Sequence, residues 1–287
     1  MRNFNEANLT DAVLAKLAGA PNPRFTQITS SLLRHMHDFV REVELTEEEW
    51  FTGIQFLTAT GQKCDDKRQE FILLSDTLGV SMLVDALNHR QPVGATESTV
   101  LGPFYVDGAP EFPNGTDLAK GFPGDPTLFS GHVLTTGGQP IANAQVDTWQ
   151  ADTEGFYDVQ RPNPDEMRLR GKFRTDTQGK FWFWTVRPTE YPVPTDGPVG
   201  QMLLQMGRHP YRPAHIHTVV SAPGYETVTT HVFVEGDRYL DSDAVFGVKD
   251  SLVVDFIRHD PGPAPDGTRM NRPYFTVNYD FGLSDKK

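Results

Sequence analysis

The chain has 287 residues, a formal net charge of −12 and one cysteine, Cys64. That length holds one large domain or two ordinary ones without a disulfide or zinc staple, and a lone thiol excludes an intrachain disulfide and a soft thiolate metal site, which points to a reducing cytoplasm. The acidic balance argues against nucleic acid as a partner; the polar opening, residues 1–10, and the lack of any run near the roughly 18 apolar residues of a membrane span leave neither signal peptide nor transmembrane helix expected.

Composition divides the chain near residue 100, with 5 Gly and 3 Pro before it and 20 Gly and 19 Pro after it. Glycine and proline punctuate turns and break helices, so a helical domain is expected over 1–100 and a strand-and-loop domain over 101–287. Leu32, Leu33, Met36 and Val40 mark a first helix. Thr46 and Glu49 form a capping box ahead of a second, carried by Trp50, Ile54, Phe56 and Leu57. Phe71, Leu74 and Leu78 suggest a third, and Met82, Leu83 and Leu87 a short fourth. Residues 91–126 read as a linker. From about residue 127 the apolar period falls to two. Gly137-Gly138 predicts a hairpin between strands 127–135 and 141–150. A turn at 176–179 leads into 180–186, and further strands are expected at 214–221, 225–234, 250–258 and 273–279. Many short strands with turns between them indicate a β-sandwich or barrel. The expected class is α+β: an N-terminal helical domain, then a mainly antiparallel β-sandwich.

The segment His209-Pro210-Tyr211-Arg212-Pro213-Ala214-His215-Ile216-His217 carries the most chemistry. Side chains alternate faces along a strand, so His215 and His217 point the same way and suit a shared metal. Spacing alone also fits two structural histidines. His35 and His37 have the same spacing, but in a predicted helix, where i and i+2 do not face each other; His231 on a later strand is ambiguous. No acidic residue flanks the 215–217 pair, which weakens a two-histidine, one-carboxylate Fe(II) site. Tyrosines are the other hard donors. Tyr157 and Tyr191 sit in Gly/Pro-rich loops near strand ends, and residue physics alone reads both as ordinary half-buried tyrosines.

Several motifs in order go further: Phe129-Ser130-Gly131-His132-Val133, then Gly138, Ile141, Val146-Asp147, Trp149 and Gly155-Phe156-Tyr157. This run resembles the signature of the intradiol ring-cleaving dioxygenases. The likeness extends to Thr96–Tyr105 upstream and Leu252–Phe256 downstream, and the helical first third is similar to that family's linker domain. Thr148 departs from the pattern, standing where an apolar residue is expected. The resemblance implies one non-haem Fe(III) held by Tyr157, Tyr191, His215 and His217, with Tyr191 the labile ligand and Arg212 stabilising negative charge on the substrate ring. Two phenolates and a hydroxide would neutralise the ion's three charges, which suits a buried site, and a bound cation would hold the tyrosines ionised.

Within the family the chain most resembles the members acting on hydroxyquinol. The loop Val100-Leu101-Gly102-Pro103 should wall the ring pocket. Leu73 and Asp76 lie on the helix expected to reach over the site, and Asp76 could accept a hydrogen bond from a third ring hydroxyl. His231 stands where catechol enzymes tend to carry glutamine, and Val193, Pro194 and Val245 are expected as apolar lining. Catechol or chlorocatechol is the nearest alternative substrate; a β-sandwich binding module with structural histidines is the alternative from another class. The family's helical domain implies a homodimer, with a phospholipid enclosed in many members.

Overall fold

The computed structural model describes residues 3–66, 68–161 and 167–286. Two compact units result, Met1–Ala59 and Thr60–Lys287. The first contains α1 (Leu9–Ala15), α2 (Pro23–Glu42) and most of α3, which runs Glu47–Gln62. Asn22 starts α2 by accepting from the Phe25 N–H at 3.0 Å, with Pro23 at the first helical position. The expected capping box starts α3: Glu49 Oε2 accepts from the Thr46 N–H at 3.0 Å, and Thr46 Oγ1 accepts from the Glu49 N–H at 3.3 Å. Phe25, Ile28, Leu32, Met36, Phe39 and Val43 recur at helical spacing along α2, and all are exposed.

The second unit continues with α4 (Glu70–Thr77) and α5 (Val80–Asn88), which match the third and fourth expected helices. Residues 91–125 then run without helix or strand apart from isolated bridges, as expected of a linker. The strands are β1 (Pro126–Thr135), β2 (Gln145–Trp149), β3 (Arg170–Arg174), β4 (Lys180–Val186), β5 (Tyr191–Pro192), β6 (Tyr211–Arg212), β7 (His215–Ser221), β8 (Val228–Val234), β9 (Val253–Val254), β10 (Ile257–His259), β11 (Gly262–Pro263), β12 (Arg269–Met270), β13 (Tyr274–Asn278) and β14 (Phe281–Leu283). A further helix, α6 (Pro198–Gln205), precedes β6; neither it nor α1 was anticipated.

Two five-stranded sheets form the body. One runs β10-β13-β1-β14 with β4 also on β1; the other runs β3-β2-β7-β8-β9. Pairing is mainly antiparallel, with β1·β13, β1·β14 and β8·β9 parallel. Phe129, Val133, Phe181, Phe183 and Phe281 of the first sheet share one buried cluster with Val146, Phe173, Ile216, Val220 and Val232 of the second. The sheets therefore face each other as a sandwich, and the fold is α+β.

Two strand expectations need correction. The Gly137-Gly138 turn forms, with the Gly138 N–H donating to the Thr135 carbonyl at 2.9 Å, and a short antiparallel hairpin follows, the Thr135 N–H donating to the Gln139 carbonyl and the Ile141 N–H to the Val133 carbonyl, both at 2.8 Å; it ends there, because β1 and β2 lie in different sheets. Asn143, at φ +57°, redirects the chain, and the Ala144 N–H donates to Thr175 Oγ1 at 2.8 Å. Val133 and Val146 then enter one core from opposite sheets. The strand expected over 250–258 is split between the sheets, β9 pairing with β8 and β10 with β13.

Candidate metal centre

β7 is the central strand of its sheet, between β2 and β8. Ile216 enters the inter-sheet core, so His215 and His217 project from the opposite face. That face is not open to water: both histidines are buried beneath loop residues. Tyr157 opens a 3₁₀ turn at Asp158–Gln160, where its N–H donates to Gln160 Oε1 at 2.9 Å. Phe104 stacks on its ring, with centroids 4.6 Å apart. Tyr191 begins β5 and pairs in register with Arg212 of β6, so one short ribbon delivers a phenol and a guanidinium together.

The four donors predicted from the sequence converge. Tyr157 Oη lies 3.1 Å from Tyr191 Oη and 2.9 Å from His217 Nε2. His215 Nε2 lies 3.1 Å from His217 Nε2 and 3.5 Å from Tyr191 Oη. Metal bonds of about 2.0–2.1 Å at right or tetrahedral angles set neighbouring ligand atoms about 2.8–3.4 Å apart; all edges of this ring but the 3.5 Å one between Tyr191 and His215 meet that range, so it has nearly the dimensions of a coordination shell. Tautomer logic agrees. His215 Nδ1 lies 2.7 Å from the Pro213 carbonyl, which can only accept, so Nδ1 carries the proton and Nε2 presents its lone pair to the ring.

Electrostatics favour neutral imidazoles. Burial and the nearby Arg212 charge push His215 down to about 3, and burial with its neighbours His215 and Arg212 holds His217 well below the ordinary histidine range. Burial pushes the Tyr157 hydroxyl well up, with Tyr191 adding to the rise. Burial also raises Tyr191, against a lowering pull from Arg212. Two phenols that resist ionisation, beside two neutral nitrogens, become good ligands when a highly charged cation reverses the local balance. The residues thus fit a hard trivalent ion. Among the described residues, the one group of three or more His, Cys, Asp or Glu side chains able to share an ion is His215, His217 and His231, which contains no carboxylate.

The other expected site residues are distributed as follows. Arg212 is buried, with its Nη1 3.2 Å from His215 Nε2. Leu73, Pro103 and Pro194 line one cavity of about 280 Å³, with Phe104, Gln160, Arg68 and Glu70 also on its wall. Asp76 is buried on α4; burial raises its carboxyl, partly offset by a hydrogen bond from Ser81 and by the charge of Arg212. Val100, Val193 and Val245 are buried but do not line that cavity, and Leu101 is exposed. Gly102, at φ +79°, lies so close to His217 that a Cβ would sit 3.1 Å from Cε1. His231 places Nε2 2.7 Å from His217 Nδ1, on the side of that ring away from the four donors.

Sequence reasoning missed three contributors. Asp243 accepts from Arg212 Nε at 3.1 Å and Nη2 at 3.2 Å, turning Nη1 towards His215; it lies 31 residues further on in a loop with no spacing signal. The buried Asp158–Arg170 pair stands behind Tyr157, and Arg170 Nη2 also donates to the Phe104 carbonyl at 3.2 Å. Thr148, the departure from the expected apolar pattern, donates Oγ1 to the His217 carbonyl at 2.9 Å.

Comparisons with known proteins give the same direction. Residues 100–284 match a family model described as dioxygenase, and residues 22–96 match one described as catechol dioxygenase N terminus. A 6-chlorohydroxyquinol 1,2-dioxygenase of Cupriavidus pinatubonensis is 55% identical over 99% of both chains. A hydroxyquinol 1,2-dioxygenase of a Rhizobium species is 50% identical over 98% of this chain and 96% of its own. The crystal structure of a hydroxyquinol 1,2-dioxygenase from Pseudomonas putida superposes with a TM-score of 0.91 at 51% identity, covering 98% of this chain and 99% of the other.

Proposed function

This chain belongs to the intradiol ring-cleavage dioxygenase family, and we propose that it opens hydroxyquinol, 1,2,4-trihydroxybenzene, with O2 at one Fe(III) ion per subunit. The cleaved bond joins the two adjacent hydroxylated carbons; both oxygen atoms enter the product, 3-hydroxy-cis,cis-muconate, which tautomerises to maleylacetate. The observation that carries the reading is the buried ring of two phenol oxygens and two imidazole nitrogens with edges between 2.9 and 3.5 Å.

Tyr157, Tyr191, His215 and His217 would hold the ion. Bound there, Fe(III) supplies the Lewis acid that withdraws electron density from a chelated catecholate. The chain's own residues do the rest. Tyr191 would be the labile ligand, as the resemblance implies, and its Oη would take a substrate proton; Arg212 stands beside it. Arg212, held by Asp243, presents fixed positive charge where negative charge develops on the ring, an interaction a water-poor site strengthens. Leu73, Pro103 and Pro194, with the backbone of Gly102, supply apolar wall, and Val100, Leu101, Val193 and Val245 complete the proposed substrate-facing set; His231 stands instead behind His217. Asp76 accepts a hydrogen bond from the third hydroxyl; a site built for that bond rejects catechol, which cannot make it. The names of the similar enzymes, hydroxyquinol and 6-chlorohydroxyquinol dioxygenases, support the same substrate.

The proposed division is a linker and dimerisation domain over 1–100 and a catalytic domain over 101–287, following the change in glycine and proline content. The exposed apolar stripe of α2 supports a homodimer through the helices, with a phospholipid as a further occupant of that surface. No helix of the described residues is long and apolar enough to cross a membrane. With one free cysteine, the proposed setting is the cytoplasm, in the breakdown of aromatic compounds.

The test is a visible absorption spectrum of iron-replete protein before and after anaerobic hydroxyquinol. Tyrosinate-to-Fe(III) charge transfer should give a wine-red protein whose band moves to longer wavelength with substrate. A colourless iron-replete sample sinks the tyrosinate ligation, and faster turnover of catechol than of hydroxyquinol sinks the substrate.

A further inference from the structure

We propose that His231 is a positioning residue for the metal centre: it fixes the tautomer and ring angle of His217, and is neither a ligand nor a substrate contact. The inference rests on reading His217 as a metal ligand, and it starts from strand register. His217 of β7 pairs directly with Trp149 of β2 on one side and His231 of β8 on the other. Three rings therefore stand in one row across the sheet. Trp149 lies flat against His217, with centroids 4.7 Å apart and planes 12° apart, so it sets the tilt of the imidazole. His231 meets the same ring at 78°, edge on, with Nε2 2.7 Å from Nδ1, so it sets the rotation. Gly102 closes the Cε1 side, where no Cβ would fit without displacement.

The bond also has a direction. If His217 is to present a lone pair at Nε2, its proton must sit on Nδ1, and that proton is donated to His231 Nε2. The Nε2 lone pair of His231 is then used and cannot also hold an ion. Its Nδ1 is buried, without a hydrogen-bond partner. The three-histidine cluster therefore resolves into two ligands and one orienting group. An imidazole acceptor differs from the carboxylate that stands behind many ligating histidines. It orients without adding negative charge, which suits a centre where two phenolates already offset most of a trivalent ion's charge.

The experiment compares full-length protein with His231→Leu, which removes the acceptor, and His231→Gln, whose amide oxygen can replace it. Three readouts are taken: loss of iron to a competing chelator, the position of the visible band, and thermal stability of the metal-free protein. Removing an outer partner of a ligating histidine costs about 10–100-fold in metal affinity. The Leu variant should lose iron that much more readily with a displaced band, and the Gln variant should recover most of the loss. A folded Leu variant that holds iron as tightly as the unsubstituted protein, with an unmoved band, overturns the proposal while leaving the Tyr/His centre intact. An unsubstituted protein that binds no iron removes the centre and this proposal together. If the Leu variant does not fold, the unsubstituted protein loaded with diamagnetic Ga(III) decides by nitrogen-15 NMR. A proton on His217 Nδ1 coupled to His231 Nε2 supports the role, and a proton on His231 Nε2 overturns it.

Discussion

His35-Met36-His37 on α2 and His215-Ile216-His217 on β7 share one spacing and lead to opposite circumstances. On the helix, residues two apart are about 200° apart around the axis. His35 is exposed, and His37 turns away to Thr10, with Nδ1 3.0 Å from Oγ1. On the strand the same spacing returns both side chains to one face. There the neighbouring strands and loops bury both rings, with their Nε2 atoms 3.1 Å apart. A motif of two residues becomes a metal-binding pair only when the backbone period and the neighbouring strands cooperate.

The sharpest test exchanges each pair for alanine. His215→Ala and His217→Ala should each lower iron retention and ring-cleaving activity by at least about 100-fold, the upper end of what losing a mere outer partner costs. His35→Ala and His37→Ala should leave both unchanged, with stability altered by no more than about 0.5 kcal/mol. Metal analysis beside a turnover assay decides it. Retained iron in the His217 variant would break the contrast.

The ion pairs of the two regions repeat the lesson at smaller scale. Arg41 and Asp38 approach to 2.6 Å on α2 but remain solvated, whereas Arg212 and Asp243 are almost wholly enclosed. Asp38→Ala should change stability by less than about 1 kcal/mol, since exposed pairs contribute little. Asp243→Ala strands a buried guanidinium and should cost about 3–5 kcal/mol. Chemical denaturation midpoints of the metal-free proteins measure both. Equal losses would mean that burial does not separate the pairs.

These contrasts show what the sequence could carry. The helices α2 to α5, the capping box, the strand period and the face shared by His215 and His217 follow from local rules and were legible, whereas α1 and α6 were not. The convergence of Tyr157 and Tyr191 was not: both lie in loops, and only the ordered family motifs singled them out. Asp243 escaped notice because its carboxylate matters only through Arg212, a partner 31 residues away. The reach of the hairpin at Gly137-Gly138 misled for a related reason. A turn signal fixes the turn, while the choice of sheet depends on where Val133 and Val146 can both be buried. Local chemistry is written locally, and the assembly of loops over a sheet face is not.

The smallest expected effect concerns acid stability, and it extends the contrast to a solvated network within the second unit. Lys63 and Arg68 both pair with Asp196, at 2.9 and 2.8 Å, and the hydrogen bonds from Lys63 and then Arg68 hold its carboxyl down at about 2, against an ordinary 3.8. A depressed folded value means the folded state releases its proton first. The pair's stabilisation is therefore fully present above pH 3.8 and fades as pH falls through about 2. Asp196→Asn should lose a little stability at neutral pH and show a shallower decline between those two values, meeting the unsubstituted protein below them. Because Asp196 is largely exposed, solvent and salt screen the pair, and moderate salt should shrink the difference. Thermal midpoints across that acid window, at low and moderate salt, make the measurement. Parallel curves for the two proteins would mean that the exposed network, like the pair on α2, contributes nothing measurable.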